Sequence, residues 1–310
     1  MIRQTVRRHS RSGLSLVTIG LPAGTFVLLS AFAPNFFSAE NIGNINNQIA
    51  ALLIVALGQL VVALIGGLDI SVGSVVSLTS VLIVSLEPSI AMPIAFLTAL
   101  VIGLANGLAI TFFRVHPIIM TLATMIFVQG FALLIMSAAG GVVPAWIISL
   151  AASNVSGLPA AFFWSVLTIG IVSFLLYKTA FGLRLFAIGA NVQSAMLSGV
   201  SATAPRIMCY VLCSLSGAVA GVYLCGRIAS GDPTMGQAFG LDSVTAIALG
   251  GVQLSGGVGS VAGALLGTIT LGLISNGMNL SGISPFFSSA VTGVLLLAAV
   301  SFQRRRTIGV

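Results

Sequence analysis

Asp69 is the side chain best placed to do chemistry. It stands between Gly66-Gly67 and Ser71 in an otherwise apolar stretch, whereas Glu40, Glu87, Asp232 and Asp242 fall at or near the ends of apolar runs. An ionisable group in apolar surroundings marks either a functional site or a fully satisfied structural one. Two roles stay open. The carboxylate can accept N–H groups of the Ser71–Gly73 turn and cap the following helix, with Ser71 and Ser74 adding hydrogen bonds, or it can relay protons. Metal chemistry has little to stand on. The chain has 2 histidines and 3 cysteines, and Cys209, Cys213 and Cys225 fall on or at the end of one apolar run, as buried inert thiols do.

Other strings imitate chemistry. Leu254-Ser255-Gly256-Gly257 copies the opening of the ABC ATPase signature. A nucleotide site also needs a phosphate loop ending in Gly-Lys-Ser/Thr, and the single lysine, Lys178, follows Tyr177. ATP hydrolysis by this chain is therefore excluded. The run Gly257–Ala262 fits the loose dinucleotide fingerprint but lies outside any soluble strand–helix unit. No catalytic residue, metal or cofactor is assigned to the chain.

The elements that hold these residues follow from composition. Of 310 residues, 57% are hydrophobic and 5% charged, and the mean hydropathy is +1.16. Soluble chains carry about 25% charged residues, so this one cannot cover a globular surface in water. The expected fold is an all-α polytopic membrane protein, one domain over 1–310, with about ten transmembrane helices. Spans are expected near Leu14–Ala33, Ile49–Ile65, Val72–Leu86, Pro93–Phe112 and Pro117–Ser137. After an uncharged stretch reaching Pro159, they continue near Ala160–Tyr177, Ile207–Leu224, Leu241–Val252, Ser260–Leu280 and Pro285–Phe302.

Charge sets the orientation. With the N-terminal tail 1–13 in the cytoplasm and the spans alternating, Arg3, Arg7, Arg8, Arg11, Arg114, Lys178, Arg184, Arg206 and Arg304–Arg306 all fall inside. That is every basic residue except Arg227, as the positive-inside rule requires. The C-terminal tail 303–310 is then cytoplasmic too, as is the basic loop 178–206.

Two apolar runs are broken by nearly the same string, near 66–73 and 250–259. Gly66-Gly67-Leu68-Asp69-Ile70-Ser71 leads into Val72-Gly73-Ser74-Val75, and Gly250-Gly251-Val252-Gln253-Leu254-Ser255 leads, past Gly256-Gly257, into Val258-Gly259-Ser260-Val261. Paired Gly-broken segments in two halves point to the centre of a transporter; tight cytoplasmic turns are the other reading. Gly103/Gly107, Gly217/Gly221 and Gly259/Gly263/Gly267 recur at helical spacing, where small residues let helices approach closely in lipid.

Together these strings resemble the membrane permeases of bacterial ABC importers for monosaccharides, of the ribose/xylose/galactose type. The resemblance runs from 43 to 300: through Gly66–Ser74, then His116–Thr124, then Phe181-Gly182-Leu183-Arg184 onward to Ser198-Gly199-Val200, and finally Leu249-Gly250-Gly251 through to Asn276–Leu280. Gln253 stands where that family often has Ser or Thr. The resemblance implies import of a small neutral sugar or polyol, a homo- or heterodimer of permeases, two cytoplasmic ATPases that carry the ATP and magnesium, a periplasmic sugar-binding protein and an inner-membrane location. A proton-coupled secondary transporter using Asp69 is the alternative.

Within the basic loop, the resemblance assigns ATPase coupling to Gly182, Arg184, Gly189, Ala190, Asn191, Ser198 and Gly199, with a short helix over Asn191–Leu197. Gly189 and Ala190 open the segment where a partner must approach closely. The solute path needs hydrogen bonds without a counter-ion. Its candidates are Asn46, Asn47, Gln48, Gln59, Gln129, Asn276 and Asn279, each equally suited to an interhelical contact. Gly66, Gly67, Asp69, Ser71, Gly250, Gly251, Gly256 and Gly257 are expected to build the turns.

The topology makes a testable statement. With the native cysteines replaced, Cys at Ser38 or Ser89 should react with an impermeant thiol reagent from outside, and Cys at Thr179 should not. Labelling of position 179 from outside would overturn the arrangement.

Overall fold

Apolar runs in this chain become helices because only a helix satisfies each peptide group within its own segment when no water is at hand. The computed structural model describes residues 16–155 and 157–301, and thirteen helices follow one another there. They are α1 Leu16–Phe32, α2 Ala39–Ala63, α3 Val72–Ser85, α4 Pro88–Phe112, α5 Pro117–Ile135, α6 Ala145–Ala152, α7 Ala160–Lys178, α8 Ala180–Ala190, α9 Val192–Leu197, α10 Thr203–Ile228, α11 Phe239–Leu249, α12 Val261–Leu280 and α13 Pro285–Ser301. The tails 1–13 and 303–310, with their seven arginines, lie outside the described residues.

Among the described residues, six helices are long and apolar enough to cross a membrane: α2, α4, α5, α7, α10 and α12. Shorter apolar helices cover Thr18–Phe32, Val72–Ser85, Ala180–Ala190, Phe239–Leu249 and Phe286–Ser301. Large apolar side chains cover the outside as well as the core. Phe127 and Leu134 on α5 are 74% and 85% exposed, while Gln59 and Asn106 are fully buried. A surface of large apolar side chains suits hydrocarbon as solvent, and the interior is itself mostly apolar, with a few buried polar groups set into it.

Some boundaries differ from those read off hydropathy. The second helix begins at Ala39 rather than near Ile49, because Ser38 caps it by accepting from Asn41 N. Its first turns are rich in Asn and Gln, which hides them from an apolar criterion. The uncharged stretch before Pro159 holds α6 and a two-residue hairpin, Asn154–Val155 against Leu158–Pro159. The loop before α6 bridges to the end of α10 through Gly140 and Gly231.

At the centre stands α10, packed against α2, α3 and α4. Its contacts run through the glycine rows. A Cβ at Gly103 or Gly107 of α4 would lie 2.6 Å from Val211 Cα or 2.8 Å from Ile207 Cα. On α10 itself, a Cβ at Gly221 would lie 2.7 Å from Val76 O of α3. These are backbone-to-backbone approaches that a methyl group would prevent.

The paired strings end helices in the same way. Gly66 (φ 74) and Gly251 (φ 77) are left-handed. Behind the first, Gly66 N donates to Ala63 O (2.9 Å) and Gly67 N to Val62 O (3.2 Å); behind the second, Gly251 N donates to Ala248 O and Val252 N to Ile247 O, both 3.0 Å. Each is a Schellman stop, which calls for glycine at the left-handed position. The strings align Gly66 with Gly250, yet the conformation aligns it with Gly251. Residues 64–71 and 250–260 are non-helical.

Helix packing generates a graded prediction. Gly103→Ala should destabilise the detergent-solubilised protein by about 1–3 kcal/mol, as overpacking does. Gly130→Ala, with open space around it, should be neutral or slightly stabilising. Survival of the monodisperse peak after heating checks this; equal melting of the two variants would contradict the close approach of α4 and α10.

Candidate functional site

The break between α2 and α3 is held by a buried polar chain. Asp69 Oδ1 accepts from Ser71 N at 3.0 Å and Ser71 Oγ at 2.5 Å. Asn106 Nδ2 donates to Ser71 Oγ (2.9 Å), and Thr124 Oγ1 donates to Asn106 Oδ1 (2.6 Å). The Gln59 amide, oriented to satisfy both of its ends, donates to Asp69 O (3.0 Å) and accepts from Asp69 N (3.1 Å). One glutamine thus replaces the two backbone bonds that Asp69 loses outside a helix. Asp69 Oδ2 is buried without a hydrogen-bond partner.

The carboxylate takes Ser71 N, and Ser71, at the start of α3, makes no side-chain capping bond. Ser74 Oγ donates to Ser71 O at 2.8 Å. The arrangement is a turn lock joining α2, α3, α4 and α5. Asp69 and Ser71 hold the first break. Across from it, Gly257 N donates to Leu64 O at 2.9 Å, and Gly66 packs on Ser255 and Gly256. The two breaks therefore meet, with Gly256 (φ 96) and Gly257 (φ 77) both left-handed at the junction.

The amides proposed for the solute path have separate fates. Gln59 is committed to Asp69. Asn276 and Asn41 exchange bonds of 2.8 and 3.2 Å between α12 and α2. Gln129 Nε2 donates to Pro233 O (2.6 Å), and Asn47 Oδ1 accepts from Tyr223 OH (3.1 Å). Asn46 is half-buried on α2. Only Gln48 and Asn279 of the seven line a polar cavity of about 390 Å³. That size lies in the small-molecule range, about 300–1,000 Å³.

Sequence reasoning missed the cavity's charged residues. Arg227 from the last turn of α10 and Asp242 from the first turn of α11 both line it, beside Ser275 and Thr292. The signal for Arg227 was present: it is the basic residue that departs from the charge pattern of the others.

The opposite ends of α2 and α12 carry α8 and α9. Thr179 caps α8 by accepting from Gly182 N, and Asn191 caps α9 by accepting from Ser194 N (2.9 Å). Arg184, Ala190, Asn191, Ser198 and Gly199 are exposed. A Cβ at Gly182 would overlap the Leu176 carbonyl. The expectation that Gly189 offers an open face to a partner needs correction. A Cβ there would overlap Leu64 O and Gly257 N, so its bare side is already filled by the junction of the two breaks. Exposed apolar groups nearby are Leu183, Met196 and Leu197.

The fold, with apolar exterior, broken helix pairs and a polar cavity at one end, defines an integral membrane protein of the permease class. The chain belongs to the family described as the branched-chain amino acid transport system/permease component, whose model matches residues 41–300. It is 37% identical over 289 residues to the ribose import permease of Bacillus subtilis (strain 168), covering 91% of this chain and 90% of that one. It is also 37% identical over 285 residues to the L-arabinose transport system permease of Escherichia coli (strain K12), covering 90% and 87%. The ribose import permease of the same E. coli strain is 31% identical over 291 residues, covering 90% of each chain. No solved structure matches.

The turn lock predicts a contrast at one position. Asp69→Asn keeps an acceptor for Ser71 and should retain most folded yield and activity. Asp69→Leu leaves Ser71 N without its side-chain acceptor, at a cost of about 1–3 kcal/mol, and should lower the yield of monodisperse protein. Normal folding of Asp69→Asn with total loss of uptake would instead favour a charge-dependent role.

Proposed function

We propose that this chain is the transmembrane permease subunit of an ATP-driven ABC importer for a small neutral sugar or polyol. The identity to ribose and L-arabinose permeases across about nine-tenths of the chain carries this reading. The cavity supports it, since Gln48, Ser275, Asn279 and Thr292 line it with amides and hydroxyls. The family description names branched-chain amino acids, but these relatives are sugar permeases, and the substrate assignment follows them.

Asp69 is a poor proton carrier in this arrangement. It does not line the cavity, and Ser71 occupies one of its oxygens. The proton-coupled alternative is therefore not favoured.

In the proposed topology, four of the shorter apolar helices join the six long ones to make ten spans, and α8–α9 lie along the inner surface. Both termini are cytoplasmic and the membrane is the bacterial inner membrane. The cavity then faces the periplasm, where a sugar-binding protein docks. The 178–206 segment meets the ATPases, which carry ATP and magnesium; this chain needs no cofactor of its own. Two permease copies, or this chain and a paralogue, enclose the path.

Closure of the ATPases would displace α8–α9, and the end of α8 leans on both breaks through Gly189. A push there reaches α2–α3 and α11–α12 together. Rigid-body motion of helix pairs about such hinges opens the path alternately to each side. Gly66, Gly67, Gly250, Gly251, Gly256 and Gly257 serve as the turns.

Reconstituted in liposomes with its ATPase and binding protein, the chain should accumulate one neutral sugar or polyol only when ATP is on the ATPase side. Equal uptake by the permease alone under a proton gradient would overturn this reading.

A further inference from the structure

We infer that Arg227 and Asp242 are the solute-selecting pair of the cavity. The guanidinium donates to oxygens of a neutral polyhydroxylated solute, and the carboxylate accepts from its hydroxyl groups. The inference rests on the sugar-import reading and goes beyond it, since that reading needs only uncharged path residues.

Arg227 and Asp242 are the two charged side chains among the described residues that line this cavity, and both are half-buried. No salt bridge joins them among the described residues. The two charges are carried by separately anchored helix ends. Beside Arg227, a Cβ at Gly226 would lie 2.5 Å from Ile147 O, and two residues before Asp242, a Cβ at Gly240 would lie 2.7 Å from Ile70 O. Each charge is thus mounted on a helix end packed tightly against a different neighbour: α6 for Arg227, and the first break for Asp242.

Such a pair is preorganised for a ligand that bridges it. Arginine offers five donors and carboxylate two acceptor oxygens, the complement of a diol whose hydroxyl groups both donate and accept. The charges sum to zero, so a net charge on the solute gains nothing. A sugar acid would meet Asp242, and a metal ion would find a single carboxylate opposed by Arg227. A zwitterionic amino acid also matches two charges, but its apolar side chain would face Gln48, Ser275, Asn279 and Thr292. The polyol satisfies both the charges and the walls.

The test uses the full importer, with ATPase and binding protein, in liposomes. Cys209, Cys213 and Cys225 are replaced by Ala and a reporter is introduced by Ala238→Cys, at a position that lines the cavity without a polar contact to the solute. Labelling by anionic and cationic thiosulfonates of equal size reads the local potential. A unit charge about 10 Å away at an effective dielectric near 20 changes such a rate by about tenfold. Asp242→Asn should favour the anionic reagent by about that factor and Arg227→Gln the cationic one. D-ribose or L-arabinose should protect the reporter, and L-leucine should not. Arg227→Lys keeps the charge but loses the planar fork, so it should preserve the reagent preference while losing protection by the pentose.

Reagent preferences unmoved by Asp242→Asn and Arg227→Gln would overturn the inference, as would protection by L-leucine alone or full pentose protection in both variants. Absence of ATP-driven uptake of either pentose by the unsubstituted importer is a separate result. It would overturn the pentose form of the sugar-import reading, and this inference with it.

Discussion

A peptide group released from a helix in a protein interior has no water to turn to, and the break at 64–71, where Asp69 is fully buried, is organised around that constraint. The Gln59 amide takes both the N–H and the C=O of Asp69, while the Asp69 carboxylate takes the N–H of Ser71. Asn106 and Thr124 extend the chain of bonds to α4 and α5. Leaving any one buried group unpaired costs about 1–3 kcal/mol, so the members stand or fall together. This buried polar cluster is thus first a device for interrupting a helix without exposing its backbone.

That interruption gives the molecule two distinct ends. At one end the breaks touch each other through Gly257 N and Leu64 O, and the last turn of α8 leans on both. At the other end Gln48 faces the polar cavity. Leu64 and Gln48 are joined by a single helix, and at 1.5 Å per residue they stand about 24 Å apart along it. A displacement applied at the junction has a stiff element to travel along. The close glycine contacts of α10 with α3 and α4 resist bending of that framework, since backbones in contact have little room to slide.

Much of this was legible in the residues. Hydropathy located helices to within a few residues where both ends were apolar, as at Val72–Ser85, Pro117–Ile135 and Val261–Leu280. It misplaced the start of α2, because Asn41, Asn44, Asn46, Asn47 and Gln48 look like a loop until Ser38 is seen to cap them. The paired Gly-Gly strings announced two stops but not their registry: Gly251, not Gly250, is the counterpart of Gly66 in conformation. The site was less legible. Of the path amides, Gln59, Gln129 and Asn276 serve protein partners, and Arg227 and Asp242 were not suspected of facing a cavity.

The reason lies in what a helix in lipid reveals. Composition alone dictates helices, because an uncharged apolar chain has no other way to satisfy its peptides within a bilayer. Glycine, serine and aspartate mark where those helices must stop. A helix apolar on every face, however, loses the periodicity that would show which side is buried. An amide then reads the same whether its partner is a carbonyl a hundred residues away, as for Gln129 and Pro233, or an open cavity, as for Gln48. Only the packing of α2, α10, α11, α12 and α13 around one space separates the two, since hydrogen-bond partners distant in sequence are chosen by the crossing of helices and not by the residues near them.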